Sequence, residues 1–142
     1  ALAQALEANP YLLRLNRYVL EMTTKRRLDE VEAVAKAARD IQRGGVGMVC
    51  ITLGKGGAIL VDDQNSLHCT APRVRIHSTV GSGDAMVAGM VTAAVRGGTP
   101  QEMLELGVIC GSATASTPGT ALFKREEVEE PNYDLEVVEL DI

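Results

Sequence analysis

Apolar residues along the first half of the chain form short runs separated by one amphipathic segment. The runs YLLRLN, VGMVCITL and AILVDD predict strands buried in a sheet. Between the first two, residues 29–45 place apolar side chains three and four apart, which is the spacing of one helix face. We expect a helix there, with Asp29 and Glu32 as a capping box and Gly44 as a left-handed cap.

The flanking segments predict further elements of both kinds. Residues 2–8 indicate a helix end, and residues 17–27 a short helix and a loop. SLHCTA and RVRIHS predict two more strands, the second half-exposed because its charged and apolar residues alternate. Helices are predicted from about Gly83 to the Gly97-Gly98 pair and from about Gln101 to Ala115, and LEVVEL predicts an edge strand. This order of elements indicates a layered α/β fold.

Composition and charge exclude several classes of protein. The 142 residues suffice for one domain, only 3% are aromatic, and the net charge is −5. Residues 126–142 hold eight carboxylates and no Lys or Arg, and no basic stripe is interleaved with aromatics. We therefore expect no nucleic-acid partner, and no apolar run is long enough for a membrane span. Three widely spaced cysteines without a CxxC pair favour a reducing, cytoplasmic location.

The segment VGSGDAMVAG carries the candidate chemistry. Gly81 and Gly83 permit backbone angles that aim successive N–H groups at one point, and the helix behind them adds its positive end. Such a turn suits the charge that develops on a transferred phosphoryl group, and Asp84 would then accept the proton of an attacking hydroxyl. The alternative is structural, with Asp84 serving only as a helix cap. The segment is neither a Walker A loop nor a GxGxxG fingerprint.

Three segments taken together identify a family. VCITLGKGGAILV, PRVRIHSTVGSGDAMVAGM and LGVICGSATASTPGT, in this order, closely resemble the C-terminal half of the PfkB/ribokinase family of carbohydrate kinases over about residues 5 to 125. Within the family, these segments most resemble those of the sugar-phosphate kinases. The resemblance implies a ribokinase-like three-layer α/β/α fold with a mainly parallel central sheet. We expect residues 1–142 to be its C-terminal nucleotide-binding part and a fragment of a longer chain.

The resemblance also assigns roles to individual residues. Asp84 would be the catalytic base that deprotonates the sugar hydroxyl, and the backbone of Gly81, Ser82 and Gly83 would form the anion hole. A strand that ends in a glycine turn, TLGKGG, would line the ATP phosphates. The residues that the resemblance assigns to nucleotide binding are Asn16, Thr52, Gly54, Gly57, Ser112 and Gly119, the last two from the segment that flanks the adenine. A monovalent cation such as K⁺ would lie near Ser78 and Val80.

One departure from the family concerns the metal. Members usually carry Lys-Pro-Asn-x-x-Glu where this chain has RLNRYV, so that Asn16 is retained but Val19 replaces the glutamate. In the family that glutamate helps to organise Mg²⁺ around the phosphates. Glu21 is two positions away, and we expect it on another face. The change leaves open a weakened or repurposed kinase.

Two functional hypotheses remain from the sequence. The first is an ATP- and Mg²⁺-dependent kinase of a sugar phosphate, resembling 1-phosphofructokinase or, as the alternative, tagatose-6-phosphate kinase, and homodimeric in the full-length protein. The second is a non-catalytic nucleotide-binding or assembly module. Because the family's sugar-binding residues lie mostly in the other half, the residues present do not identify the sugar. We expect the 142 residues alone to show no significant kinase turnover.

Overall fold

Five α-helices and five strands occur in the part of the chain that this computed structural model describes, which is residues 2–118, 124–126 and 134–142. The helices are α1 (Leu2–Glu7), α2 (Arg17–Thr24), α3 (Val31–Arg43), α4 (Ser82–Val95) and α5 (Pro100–Ala115). The strands are β1 (Leu12–Asn16), β2 (Met48–Thr52), β3 (Ala58–Asp62), β4 (Ser66–Cys69) and β5 (Val137–Glu139). The α/β class predicted from the sequence is confirmed. Within these residues no helix is both long enough and apolar enough to cross a bilayer.

The five strands form one mixed sheet in the order β1-β2-β3-β4-β5. β1 runs parallel to β2, with Asn16 opposite Thr52, and β2 runs antiparallel to β3, with Thr52 opposite Ala58. The parallel pair is joined through α3, as a parallel connection requires a crossover. The predicted edge strand of the acidic tail is β5, where the N–H of Leu140 donates to the carbonyl of Ser66 at 2.7 Å.

The described chain divides into two compact units. The first unit comprises Ala1–Gly54, Ala58–His68 and Val138–Ile142. Its core lies between α3 and the sheet, where alternate residues of β2 and β3 meet the apolar face of the helix. The residues of this core include Val34, Ala35, Ala38, Val49, Ile51, Ile59 and Val61, each at most 1% exposed.

The second unit comprises Lys55–Gly57 and Cys69–Val137, and close packing of α4 on α5 is its main feature. Glycines permit the approach. A Cβ on Gly89 would lie 2.8 Å from the carbonyl oxygen of Leu106, and one on Gly107 would lie 2.7 Å from Cγ of Met90. These distances are shorter than van der Waals contact, so a larger residue at either position would force the helices apart.

The start of α5 illustrates how a cap stabilises this helix pair. Thr99 is the N-cap, and its Oγ1 accepts the N–H of Glu102 at 3.2 Å. We expect Thr99→Ala to lower the free energy of unfolding by about 1 kcal/mol, because one backbone donor loses its partner. Chemical denaturation would measure this. Thr92→Ala is the control, since its hydroxyl only donates to a carbonyl within α4; an equal loss in both variants would contradict the capping role.

Three details of the sequence prediction were wrong. RVRIHS forms no strand, because residues 73–78 lack ladder pairing and instead lead into the turn before α4. Asp29 does not cap α3; Glu30 is the N-cap without a side-chain bond, and Asp29 pairs with Arg27 at 3.3 Å. Gly44 is right-handed with φ −74°, whereas the next residue, Gly45, has φ +119°.

Candidate active site

The GSGD turn opens α4 as the sequence predicted. Gly81 is the N-cap in the left-handed conformation with φ +80°, which favours glycine, whereas Gly83 already lies in the helix. Asp84 stands in the first turn and is exposed. The alternative role as a helix cap is not observed, since no side chain caps α4. Among the described residues the Asp84 carboxylate has no hydrogen-bond or ionic partner.

Backbone donors gather beside this carboxylate. The N–H of Ser82 donates to the carbonyl of Thr79 at 3.3 Å, and that of Ala85 to the carbonyl of Gly81 at 2.9 Å. The N–H groups of Gly83 and Asp84 between them have no acceptor in the described part of the chain. These two open donors, at the positive end of a 14-residue helix, favour an anion. They fit a phosphate group.

The loop before the turn is fixed to the end of α5. The N–H groups of His77 and Ser78 both donate to the carbonyl of Ala115, at 2.8 and 3.1 Å. Oγ of Ser78 accepts the N–H of Val80 at 3.2 Å, so one of the two residues expected near a cation shapes the loop. Ala115 could not be identified from the sequence, because its contribution is a backbone carbonyl.

The segment expected near the adenine begins within α5. Gly111 lets that helix approach the start of α4, since a Cβ there would lie 3.2 Å from the carbonyl oxygen of Ser82. Ser112 follows it and is half-buried. Thr114 is 1% exposed, and its hydroxyl has no partner among the described residues. Gly119, the other predicted residue of this segment, lies outside the described residues.

The first unit places two predicted nucleotide-binding residues side by side. Asn16 ends β1 and Thr52 ends β2, and they are register partners at the carboxyl ends of a parallel pair, where α/β folds bind ligands. Asn16 also caps α2, because its Oδ1 accepts the N–H of Val19 at 2.8 Å. Arg14, which we had not singled out from the sequence, directs Nη1 toward Oγ1 of Thr52 at 3.4 Å.

Gly54 and Gly57, the two glycines of TLGKGG that were predicted to bind the nucleotide, are required for different reasons. Gly54 has φ +60° and open space around it, so its exposed backbone is accessible to a ligand. Gly57 is buried with φ +85°, and a Cβ there would lie 1.9 Å from the carbonyl oxygen of Cys69. Gly57 is therefore required by the packing of the backbone, whatever its relation to the nucleotide.

The side chains that could hold a divalent metal are sparse. Val19 carries no ligand atom, and Glu21 is directed elsewhere, since its Oε1 accepts the N–H of Leu28 at 3.2 Å. No cluster of three or more His, Cys, Asp or Glu side chains suited to a metal occurs in residues 2–118, 124–126 and 134–142. Glu21 therefore does not take the place of the glutamate that Val19 replaces.

Two cysteines of the second unit are buried thiols and not nucleophiles. Burial and, to a smaller extent, the Glu105 carboxylate raise the pKa of the Cys69 thiol to about 11. Burial also raises the pKa of Cys110, whose Sγ lies against Gly89 in the contact between α4 and α5. Both thiols are therefore protonated at neutral pH and serve in packing.

Comparison with known proteins agrees with this arrangement. The family model "pfkB family carbohydrate kinase" matches residues 1–127. A 1-phosphofructokinase of Rhodobacter capsulatus is 43% identical over 97 residues, covering 68% of this chain and 31% of that protein. The ATP-dependent 6-phosphofructokinase isozyme 2 of Escherichia coli is 34% identical over 131 residues, covering 91% of this chain and 42% of that protein. The chain thus spans well under half the length of these relatives.

Solved structures show the same fold. Phosphofructokinase-2 of Escherichia coli in complex with potassium has a TM-score of 0.84 and 34% identity, over 91% of this chain and 42% of that one. Ribokinase of Thermotoga maritima has a TM-score of 0.74 and 27% identity, over 84% and 41%. The fold is therefore the ribokinase-like α/β fold. By sequence and by structure, this chain belongs to the pfkB family of carbohydrate kinases.

Proposed function

We propose that this chain is the C-terminal, nucleotide-binding part of an ATP-dependent kinase that phosphorylates a hydroxyl of a sugar phosphate. The observation that carries the proposal is the start of α4. An exposed carboxylate without a partner, Asp84, stands beside the open N–H groups of Gly83 and Asp84. A base and an anion-binding pair in one helical turn are the two groups that phosphoryl transfer needs.

The proposed reaction divides between these groups. The acceptor hydroxyl loses its proton to the Asp84 carboxylate as its oxygen forms a bond to the γ-phosphorus of ATP. The bond from that phosphorus to the β,γ-bridging oxygen breaks, and ADP leaves with the electron pair. Charge that develops on the transferred phosphoryl oxygens is stabilised by the N–H donors and by the positive end of α4. Gly81 supplies the left-handed N-cap conformation of this turn. Ser82 supplies the next backbone unit, whose N–H is bonded to the carbonyl of Thr79.

The nucleotide contacts follow the family assignment. The position of Asn16 beside Thr52 at the ends of two paired strands supports a role for both in nucleotide binding. The open backbone supports such a role for Gly54. Ser112 is supported because it directly follows Gly111, where α5 approaches α4. Gly57 and Gly119 are proposed from the resemblance alone. Mg²⁺, when bound, would neutralise phosphate charge, and Asn16 is the residue that we propose beside it. K⁺ near Ser78 and Val80 is proposed by analogy with the potassium complex of the Escherichia coli protein.

The substrate is proposed from the relatives. Several of them, including those of Rhodobacter capsulatus and Borreliella burgdorferi, are 1-phosphofructokinases. We therefore propose fructose 1-phosphate as the acceptor, and tagatose 6-phosphate as the alternative. A homodimer of the complete protein remains part of this proposal; a tetrameric form is known for the Escherichia coli phosphofructokinase-2.

A second function, a non-catalytic nucleotide-binding module, is favoured by one observation. Val19 removes a carboxylate, and Glu21 does not replace it because it binds the Leu28 N–H. Such a module would use the same phosphate contacts to sense ATP without transferring its phosphate.

A coupled assay of the complete kinase with ATP and Mg²⁺ tests the proposal. We expect phosphorylation of fructose 1-phosphate with a kcat/KM at least tenfold above that of tagatose 6-phosphate. The reverse order would replace the proposed substrate and keep the kinase. Calorimetric titration of ATP, run beside it, separates the remaining outcomes: binding without turnover on any sugar phosphate favours the module, and neither binding nor turnover overturns both functions.

A further inference from the structure

A cleft along α3 concentrates positive charge in the first unit. Its volume is about 410 Å³, and its charged lining residues are Arg26, Lys36, Arg39, Arg43 and Asp40. Four cations thus face one carboxylate, a local charge of +3 in a chain whose net charge is −5. A larger adjoining cleft of about 630 Å³ shares Arg39 and Arg43. None of these residues belongs to the proposed active site.

The cations of α3 are placed where they repel each other. Lys36, Arg39 and Arg43 follow one another at steps of three and four, so they lie on one face of the helix. Like charges at this spacing destabilise a helix, and Glu32 and Asp40, four residues before and after Lys36, offset part of this repulsion. Arg26, Lys36 and Arg43 are exposed, and none of their side chains makes an ion pair or hydrogen bond within the described residues.

One of the four cations is held rigidly. The Arg39 guanidinium donates to Oγ of Ser66 at 2.7 Å, to Oε1 of Gln42 at 3.2 Å, and to the carbonyl of Asp62. None of these acceptors is a carboxylate. A cation that is already fixed lowers the entropy lost when an anion binds beside it.

The remaining lining is apolar. Leu28, Ala33 and Ile142 complete the cleft, whose volume lies in the range of small-molecule sites. Cations beside an apolar surface suit an anionic group that is attached to an organic body. We propose that this cleft binds a phosphorylated small molecule, with the phosphate held by Lys36 and Arg43 beside the fixed charge of Arg39 and the organic part against the apolar lining.

Calorimetric titration with inorganic pyrophosphate, at low ionic strength, tests the site. We expect Lys36→Gln combined with Arg43→Gln to weaken binding at least tenfold. Arg73→Gln combined with Arg75→Gln is the matched control, because these exposed residues belong to the second unit and their loss changes the net charge equally. The control should bind within twofold of the unchanged chain. The test variant thus keeps the other two cations of the cleft, Arg26 and Arg39.

Each result decides the proposal. A loss of affinity in the α3 variant no larger than that in the control, or no binding by the unchanged chain, overturns it, whereas selective loss in the α3 variant supports it. Titrations with AMP, fructose 1-phosphate and inorganic phosphate then distinguish the sources: the compound whose affinity depends most on Lys36 and Arg43 is the class of ligand. Because Asp84→Asn leaves this cleft unchanged, failure of the proposed kinase function would not alter the result.

Discussion

Replacing Asp84 by asparagine in the complete kinase should reduce kcat by about 10²–10⁴-fold, the usual contribution of a general base. The amide keeps the shape of the side chain but cannot accept the proton of the sugar hydroxyl at neutral pH. Because Asp84 is exposed and makes no bond with described residues, its replacement should leave the fold intact. The affinity for ATP should change little, since the neighbouring N–H donors belong to the backbone.

Steady-state kinetics and calorimetry on the same preparation would measure the two effects. Asp29→Asn is the matched control, because Asp29 makes only an exposed ion pair with Arg27, which contributes little to stability. A loss of ATP binding as large as the loss of kcat would contradict the role of a base. Unchanged function would favour the non-catalytic module.

Replacing Gly57 by alanine should have the largest effect on stability. The new Cβ would stand 1.9 Å from the carbonyl oxygen of Cys69 and 2.9 Å from the N of Ala71, and both neighbours are backbone that cannot rotate away. The positive φ of +85° adds strain. We expect the free energy of unfolding to fall by more than about 4 kcal/mol, which is exceptional for one methyl group.

The same turn offers the control for this prediction. Gly54 also has a positive φ, +60°, but nothing lies within 4 Å of its Cβ position, so Gly54→Ala should cost only about 1–2 kcal/mol. Guanidinium denaturation followed by circular dichroism would give both values. Equal costs at the two positions would show that conformation alone, and not the approach of Cys69, requires Gly57.

The sequence predicted those features that depend on side-chain pattern. We could predict β2, β3 and α3 from the sequence, because burial selects apolar residues at a period that is characteristic of each kind of element. The prediction failed for RVRIHS, which alternates like a strand but has no ladder partner; pairing is a property of the neighbouring chain and not of the segment. At Asp29 the capping pattern was present, but Arg27 competes for its carboxylate.

The candidate site was likewise predicted only in part. Gly81 and Asp84 could be placed from the sequence, because a glycine turn before a helix has a defined geometry. The neighbours of Asp84 could not, since the open N–H groups depend on where Thr79 and Val80 turn. Arg14 was missed for a related reason: within LLRLN it resembles an exposed strand residue, and only the register of β1 on β2 brings it to Thr52.

The double hydrogen bond at Ala115 limits what mutagenesis can reveal. One carbonyl oxygen uses both lone pairs on the N–H groups of His77 and Ser78, so no side chain takes part. Alanine in place of His77 or Ser78 would leave this attachment intact, although at position 78 it would remove the acceptor of the Val80 N–H. Only chemistry on the main chain, such as an ester in place of the amide at 77 or 78, would weaken it. Side-chain substitutions at these positions thus say little about how firmly the loop before α4 is attached to α5.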